Sequence, residues 1–200
     1  LVLGCGLGCD AIRYARTGTS VTVGLAAGDS ALLVQDNFAR HGLTAAFVPL
    51  TGARLPFGPG AFDVVTWNAL YDPAATDPAR IDELFRVLKP GGKVIGLFPA
   101  HYDPTFWRKL VPLPRLFWPD TPDPTTTPKT TARELRHRFG RFADHRVAKR
   151  HLRRAELPVP WRLLPVTLLE RVLGRVLVLK AKKPIPAARV LVSRAGRVAA

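Results

Sequence analysis

The stretch LVLGCGLGCDAIRYARTGTSVTVGL, residues 1–25, decides the fold. Three apolar residues lead into Gly4-Cys5-Gly6-Leu7-Gly8, a helical segment follows from Asp10 to Arg16, and a second β-type run extends from Ser20 to Leu25. This order of strand, glycine turn, helix and strand is typical of the first unit of a nucleotide-binding α/β domain. Glycines in such a turn allow the backbone to pass close to a ligand.

The glycine spacing narrows the choice of nucleotide, because Gly4-x-Gly6-x-Gly8 is shorter than the G-x-G-x-x-G of dinucleotide-binding domains. Four later segments follow in a consistent order. They are Leu55-Pro56-Phe57, Ala61–Val65, Arg86–Val94 and Val176–Ala181. Together with the glycine loop, they resemble the class I S-adenosylmethionine-dependent methyltransferases, especially those acting on small molecules. The resemblance is strong over residues 1–99 and returns at 130–182.

Alternating strands and helices predict an α/β fold with a largely parallel sheet covered on both faces. The predicted strands are Leu1–Leu3, Ser20–Leu25, Ala45–Leu50, Phe62–Trp67, Lys93–Pro99, Phe142–Leu152 and Arg175–Ala181. The predicted helices are Asp10–Arg16, Ser30–His41, Pro78–Leu88 and one that begins near Thr131. The resemblance implies a three-layer, Rossmann-like sandwich of seven strands, of which the last is antiparallel.

Residues 1–182 are predicted to form a single methyltransferase domain with cap insertions at about 99–130 and 155–172, followed by a basic tail, 183–200. Prolines disfavour regular helix or central strand through much of the first insertion. Its aromatic residues favour an ordered cap over the acceptor pocket, although packing onto the neighbouring core is the alternative. The chain begins at Leu1 and contains no Met, so we interpret it as a fragment or as lacking its natural start.

Charge is distributed unevenly along the chain. Residues 1–107 hold 8 basic and 9 acidic side chains, a net charge of −1, whereas residues 108–200 hold 22 and 6, a net charge of +16. A basic surface attracts nucleic acid, an anionic membrane or an acidic small molecule. Solvated arginines without a partner are the alternative explanation.

The resemblance implies a cofactor, S-adenosylmethionine, and a set of residues around it. The cofactor-binding residues would be Gly4, Cys5, Gly6, Leu7, Gly8, Leu25, Ala53 and Asn68. Three positions at which the family usually has an acid are occupied here by Val2, Leu25 and Thr51. Each lost charged hydrogen bond costs about 1.5–3 kcal/mol. Asp10 and Asp29 lie near these turns, where they either compensate or cap the following helices.

Catalytic candidates follow the fourth and fifth predicted strands, at the sheet edge where ligands bind. The resemblance places Asn68 beside the cofactor and Tyr71 or Asp72 near the acceptor. His101 is a candidate general base for a hydroxyl acceptor, since imidazole titrates near neutral pH. A solvated loop histidine is the alternative. Cys5 and Cys9 have no accompanying His or Cys cluster, so no metal site is predicted.

Three functions remain open from the sequence. The first is S-adenosylmethionine-dependent methyl transfer to a small or lipid-like acceptor, with the basic half contacting an anionic acceptor or a membrane surface. The second is a degenerate methyltransferase fold that binds cofactor weakly or not at all and acts as an interaction module. The third is RNA or DNA methylation, which is supported only by charge. We expect a cytoplasmic protein, peripheral to the membrane at most, and the oligomeric state stays open.

Overall fold

A computed structural model shows a seven-stranded sheet in the order β3-β2-β1-β4-β5-β7-β6. It describes residues 1–26, 31–110, 128–154, 157, 161 and 163–186. The strands from β1 to β5 pair in parallel, while β7 runs antiparallel to both of its neighbours, β5 and β6. The α/β fold, the mostly parallel sheet and the antiparallel last strand are therefore confirmed.

The elements lie close to the predicted ones. The strands are β1 (Val2–Leu3), β2 (Thr22–Leu25), β3 (Ala46–Pro49), β4 (Phe62–Asn68), β5 (Leu88–Pro99), β6 (Ala143–Arg150) and β7 (Val176–Lys182). The helices are α1 (Cys9–Arg16), α2 (Ala31–Arg40), α3 (Pro78–Val87), α4 (Pro104–Leu110), α5 (Ala132–Arg138) and α6 (Val166–Leu173). None of the helices in the described ranges is long and apolar enough to cross a membrane.

The predicted start of the fifth strand was wrong. β5 begins at Leu88 rather than Lys93, because Leu88 already pairs with Phe62 and the glycines continue the strand. The register between β4 and β5 shifts between Phe62 and Val64, which accommodates the tight Pro90-Gly91-Gly92 segment. Lys183 completes the pairing here. The Lys183 amide donates to the Gly92 carbonyl, and the Gly91 amide donates to the Lys183 carbonyl.

The sheet separates two apolar layers, and neighbouring residues of β1 divide between them. Val2 packs with α1 and α2, whereas Leu3 packs on the other face with α3 and α5. Trp67 is fully buried in the second layer, edge-on to Phe98 at 5.1 Å between ring centroids. This alternation along a strand gives the three-layer arrangement that the sequence predicts.

A third, smaller apolar cluster lies in the predicted cap segments. Leu152, Leu157 and Leu173 are buried in it, and Trp107 of α4 packs against them. The two cap segments are thus in contact with each other. Residues 111–127 of the first segment and most of the predicted tail lie outside the described residues.

Candidate functional site

The glycine loop between β1 and α1 has a backbone that only glycine adopts without strain. Gly4, Gly6 and Gly8 have φ values of 64°, 54° and 82°. A Cβ on Gly4 would collide with the backbone oxygen of Asn68, the last residue of β4. A Cβ on Gly8 would stand 3.0 Å from the Val34 side chain of α2. The loop therefore lies against the chain leaving β4 on one side and against α2 on the other.

Hydrogen bonds hold this loop in place. The Gly8 amide donates to the Cys5 carbonyl at 2.8 Å, and the Asn37 side-chain amide of α2 donates to the Leu7 carbonyl at 3.0 Å. The Leu7 side chain is 61% exposed, and Cys5 is half-buried. Sequence reasoning missed Asn37, because nothing in a helical Asn indicates a contact 30 residues away.

A cavity of about 380 Å³ opens at the same sheet edge, where β2, β3 and β4 end. Ala26 lines it after β2, Thr51 to Ala53 line it after β3, and Asp72 to Ala74 line it after β4. Leu25 precedes Ala26 and is buried at 8% exposure, and its carbonyl accepts from the Leu50 amide at 2.7 Å. Of the predicted positions, Ala53 thus lines the cavity, and Leu25 directly precedes the lining residue Ala26.

A buried ion pair fixes two of these walls. Arg80 of α3 and Asp72 are 1% and 4% exposed, and the Arg80 Nε lies 3.2 Å from the Asp72 Oδ2. The guanidinium also donates to the Gly52 and Ala53 carbonyls, each at 3.1 Å. Asp72 accepts from the Trp67 indole nitrogen at 2.8 Å. The prediction that Asp72 lies near the acceptor is not supported by this geometry, since its carboxylate points into the protein.

The three positions at which the family usually has an acid lie in β1, at the end of β2 and after β3. Val2 is 4% exposed and Leu25 8% exposed, both in the apolar layer beneath α1 and α2. Thr51 is exposed at the cavity. Asp10 lies in the first turn of α1, whose N-cap is Gly8, so its predicted capping role was wrong. Asp29 lies outside the described residues.

Asn68 and Tyr71 stand directly beside the glycine loop. The Asn68 side-chain oxygen accepts from the Leu70 amide at 3.2 Å, and its backbone oxygen accepts from the Tyr71 amide at 3.2 Å. This tight turn leaves the Tyr71 side chain 62% exposed. Its ring edge lies 3.9 Å from the point where a Cβ on Gly6 would stand. Tyr71 therefore borders open space above the loop.

His101 follows β5, the next strand along the sheet, and is exposed. Its ring packs edge-on against Tyr102 at 4.9 Å and in a tilted arrangement against Phe106 of α4 at 5.5 Å. Its amide donates to the Thr130 carbonyl at 2.9 Å, which ties the start of the cap to the segment before α5. Within the described residues, no group of three or more His, Cys, Asp or Glu side chains is placed to hold a metal ion.

Glu83 and Arg86 of α3 fasten the segment that follows the cavity. Arg86 donates to the Glu83 carboxylate at 2.7 Å and to the carbonyls of Leu55 and Phe57. The Leu55 amide donates back to Glu83 at 2.8 Å. The Arg86 hydrogen bond is the main cause that lowers the pKa of Glu83 from 4.5 to about 2. These contacts clamp the Leu55-Pro56-Phe57 segment onto α3.

In the cap, Lys149 of β6 likewise joins two segments of the chain. Its Nζ donates to the Tyr102 carbonyl at 2.7 Å and to the Val172 carbonyl of α6 at 2.6 Å. Burial lowers the pKa of Lys149, while the nearby Asp103 carboxylate raises it. Asp103 is itself buried and paired with Lys129 at 2.6 Å. The loop after β5 and the last turn of α6 are thus held by one ammonium group.

Comparison with known proteins places this geometry in a class. Residues 1–96 match the family described as the methyltransferase domain. None of the curated proteins compared with the chain matches it.

Solved structures show the same fold over nearly the whole chain. An S-adenosylmethionine-dependent methyltransferase from Methanosarcina mazei is 22% identical, with a TM-score of 0.64 over 92% of this chain and 91% of that one. The [4+2]-cyclase SpnF is 18% identical, with a TM-score of 0.62 over 92% and 73%. A phosphoethanolamine N-methyltransferase from Haemonchus contortus, bound to S-adenosylmethionine, is 14% identical, with a TM-score of 0.59 over 92% and 48%.

The fold is therefore that of the class I S-adenosylmethionine-dependent methyltransferases. The match to the methyltransferase domain family covers residues 1–96, which contain the glycine loop and the cavity. The resemblance stated from the sequence is confirmed, as are the enzyme class and the cofactor implied by it.

The residues present fit that cofactor in shape. Above Gly6 a Cβ would meet only the Tyr71 ring edge, so a ligand can approach this backbone closely. The adjoining cavity is of the size that small ligands occupy. In charge the fit is poorer, because Leu25 provides no carboxylate for the ribose hydroxyls.

Proposed function

We propose that this protein transfers a methyl group from S-adenosylmethionine to a small or lipid-like acceptor. The adenosyl half would occupy the cavity between Ala26, Ala53 and Asp72. The amino-acid half would lie over the backbone of Gly4 and Gly6. This assignment rests on the glycine loop geometry, the adjoining cavity and the family match.

The observation that favours a small acceptor is an aromatic cluster that follows β5, at the same edge of the sheet as the glycine loop and the cavity. His101, Tyr102 and Phe106 form mutual ring contacts of 4.9 to 5.5 Å just beyond β5. Phe106 in turn packs edge-on against Trp107, which joins the cap cluster. Aromatic side chains at the edge of a binding site suit the apolar body of a small or lipid-like molecule.

The bound cofactor supplies an electrophilic methyl on a sulfonium. The chain's task is to hold an acceptor in line with that methyl and to exclude water, and positioning alone provides much of such a rate enhancement. In this proposal Tyr71 borders the acceptor from the β4 side. His101 accepts the acceptor's proton from the β5 side, which leaves a neutral methylated product and a protonated imidazole.

Nucleic acid is a weaker candidate, for a structural reason. Recognition of single strands uses exposed aromatic rings interleaved with basic groups. Phe139 and Phe142 are the aromatic residues of the basic segment 129–156, and they are 0% and 4% exposed. Both rings pack in the core, so neither offers a base a stacking surface.

Calorimetric titration with S-adenosylmethionine and its demethylated product tests the cofactor assignment. We expect binding in the micromolar range. The variant Leu25→Asp should tighten it by tenfold or more, because a restored carboxylate accepts ribose hydrogen bonds worth about 1.5–3 kcal/mol. Leu25→Asn is the uncharged control. Absence of binding up to millimolar by the natural sequence and by Leu25→Asp would favour the interaction-module alternative.

Transfer of labelled methyl groups tests the acceptor class. The protein is incubated with methyl-labelled cofactor and with separate lipid, small-molecule and RNA fractions of a cell extract. Label in the lipid or small-molecule fraction, reduced about a hundredfold by His101→Gln, is the expected result. Label confined to RNA would overturn the proposed acceptor.

A further inference from the structure

The cap exposes apolar side chains that a water-facing surface does not require. Between residues 161 and 172, five large apolar side chains are exposed. They are Trp161 at 39%, Leu163 at 91%, Leu164 at 45%, Leu168 at 59% and Val172 at 53%. We call Leu163, Leu164, Leu168 and Val172 the apolar ridge. Contiguous exposed apolar groups of this kind mark interaction sites.

Two ridge residues lie on α6, and two precede it. Leu169 and Leu173 of α6 pack into the cap cluster with Leu152. Leu168 and Val172 are four residues apart, so they share one side of the helix, where both are more than half exposed. Because other side chains form the cluster, the ridge is available to a partner.

Charge around the ridge favours an anionic partner. Arg171 lies exposed on α6 between Leu168 and Val172. Residues 149–175 contain seven basic and two acidic side chains. One of those acids, Glu170, lies 3.4 Å from Arg150, so its charge is locally balanced. An apolar helix face bordered by arginines is the pattern of helices that lie in the interface of an anionic membrane.

The ridge also lies at the functional edge of the sheet. α6 ends just before β7, and Val176 of β7 pairs with Pro99, the last residue of β5 and two positions before His101. Lys149 ties the Val172 carbonyl to the Tyr102 carbonyl in the same loop. A surface that contacts the ridge therefore lies next to the acceptor side of the proposed site.

We propose that the apolar ridge docks the protein onto an anionic phospholipid bilayer, with Leu168 and Val172 entering the headgroup region and Arg171 contacting lipid phosphates. The docking deepens the proposed function by bringing a lipid-like acceptor to the enzyme. It does not depend on that function, because membrane binding requires no cofactor.

Vesicle co-sedimentation tests this docking. The full chain is mixed with phosphatidylcholine vesicles, with or without phosphatidylserine, at low and high salt. We expect binding to the anionic vesicles, reduced at least tenfold by high salt. The double variant Leu168→Gln with Val172→Gln should lower it at least tenfold, and Arg171→Gln severalfold.

The matched control removes exposed leucines elsewhere. Leu32 and Leu33 of α2 are 79% and 54% exposed, so Leu32→Gln with Leu33→Gln makes the same chemical change outside the cap. This control should bind vesicles as the natural sequence does, and the unfolding midpoints of both double variants should match. Equal vesicle binding by both double variants would overturn the proposal.

Three further outcomes would also overturn it. One is absence of vesicle binding at low salt. Another is a dimer that the Leu168 and Val172 changes dissociate in the absence of vesicles, because the ridge would then bind a second copy. The third is binding to RNA in place of vesicles. Cofactor titration remains a separate measurement, so failure of the docking and failure of the proposed methyl transfer are distinguishable.

Discussion

Different kinds of contact hold together the glycine-loop half and the cap half of this protein. Around the loop, backbone packs against backbone, and the buried Arg80 and Asp72 pair ties two cavity walls together. In the cap, a small cluster around Leu157 joins α4 to α6, and the half-buried Lys149 holds the end of α6. The first arrangement fixes a cofactor geometry. The second leaves an outer surface free to vary, which is why the fold defines the cofactor but not the acceptor.

The largest effect is expected at Gly4. Gly4→Ala places a methyl group against the Asn68 carbonyl at a φ of 64°, and we expect loss of cofactor binding together with at least about 4 kcal/mol of stability. The control is Gly18→Ala, where φ is 76° but nothing lies within 4 Å of the new Cβ. It should cost about 1–2 kcal/mol. Urea denaturation compares the two, and equal losses would show that the close approach to β4 is unimportant.

The second-largest effect on stability is expected at the buried ion pair between Arg80 and Asp72. Arg80→Met leaves the Asp72 carboxylate buried without its cation, which typically costs about 3–5 kcal/mol. Arg40→Met removes an exposed pair with Asp36 on α2 and should cost less than about 1 kcal/mol. Denaturation midpoints measure both changes. If Arg80→Met were as mild as Arg40→Met, the buried pair would not be what ties the two cavity walls together.

The smallest effect concerns acid stability. The pKa of Glu83 is lowered to about 2, first by its hydrogen bond from Arg86. A lowered folded-state pKa stabilises the protein above the ordinary value of 4.5, and this stabilisation is lost as pH falls from about 5 to about 2. Arg86 is one-third exposed, so we expect roughly 1 kcal/mol.

Stability curves against pH measure this effect. Glu83→Gln should flatten the acid limb, whereas Asp36→Asn, at an exposed pair, should change it little. An unaltered acid limb in Glu83→Gln would contradict a stabilising role for the clamp on Leu55.

Most of the fold can be predicted from the sequence, because each strand, turn and helix is indicated by residues close together in the chain. The run from Leu1 to Gly8 contains both the strand and the turn, and glycine at positive φ leaves few alternative conformations. The antiparallel direction of the last strand follows from the family resemblance and not from any one element. The early start of β5 was missed, because Pro90 and the following glycines usually end regular structure.

The site is less predictable because its contacts are long-range. Arg80 resembles an exposed residue of an amphipathic helix until its partners after β3 and β4 are brought together. Asn37 reaches the glycine loop in the same way. The short α4 forms in spite of neighbouring prolines, since Pro104 occupies its first position, where proline is tolerated.

The pairing of β5 with β7 has a consequence for synthesis on the ribosome. Pro99 pairs with Val176, so about 77 more residues must be synthesised before one edge of β5 can pair with β7. At about 5–20 residues per second, that interval is roughly 4 to 15 s. During this interval, the unpaired amide and carbonyl groups along β5 can form hydrogen bonds with other chains. Slowed translation between residues 100 and 175 should therefore lower the yield of folded protein.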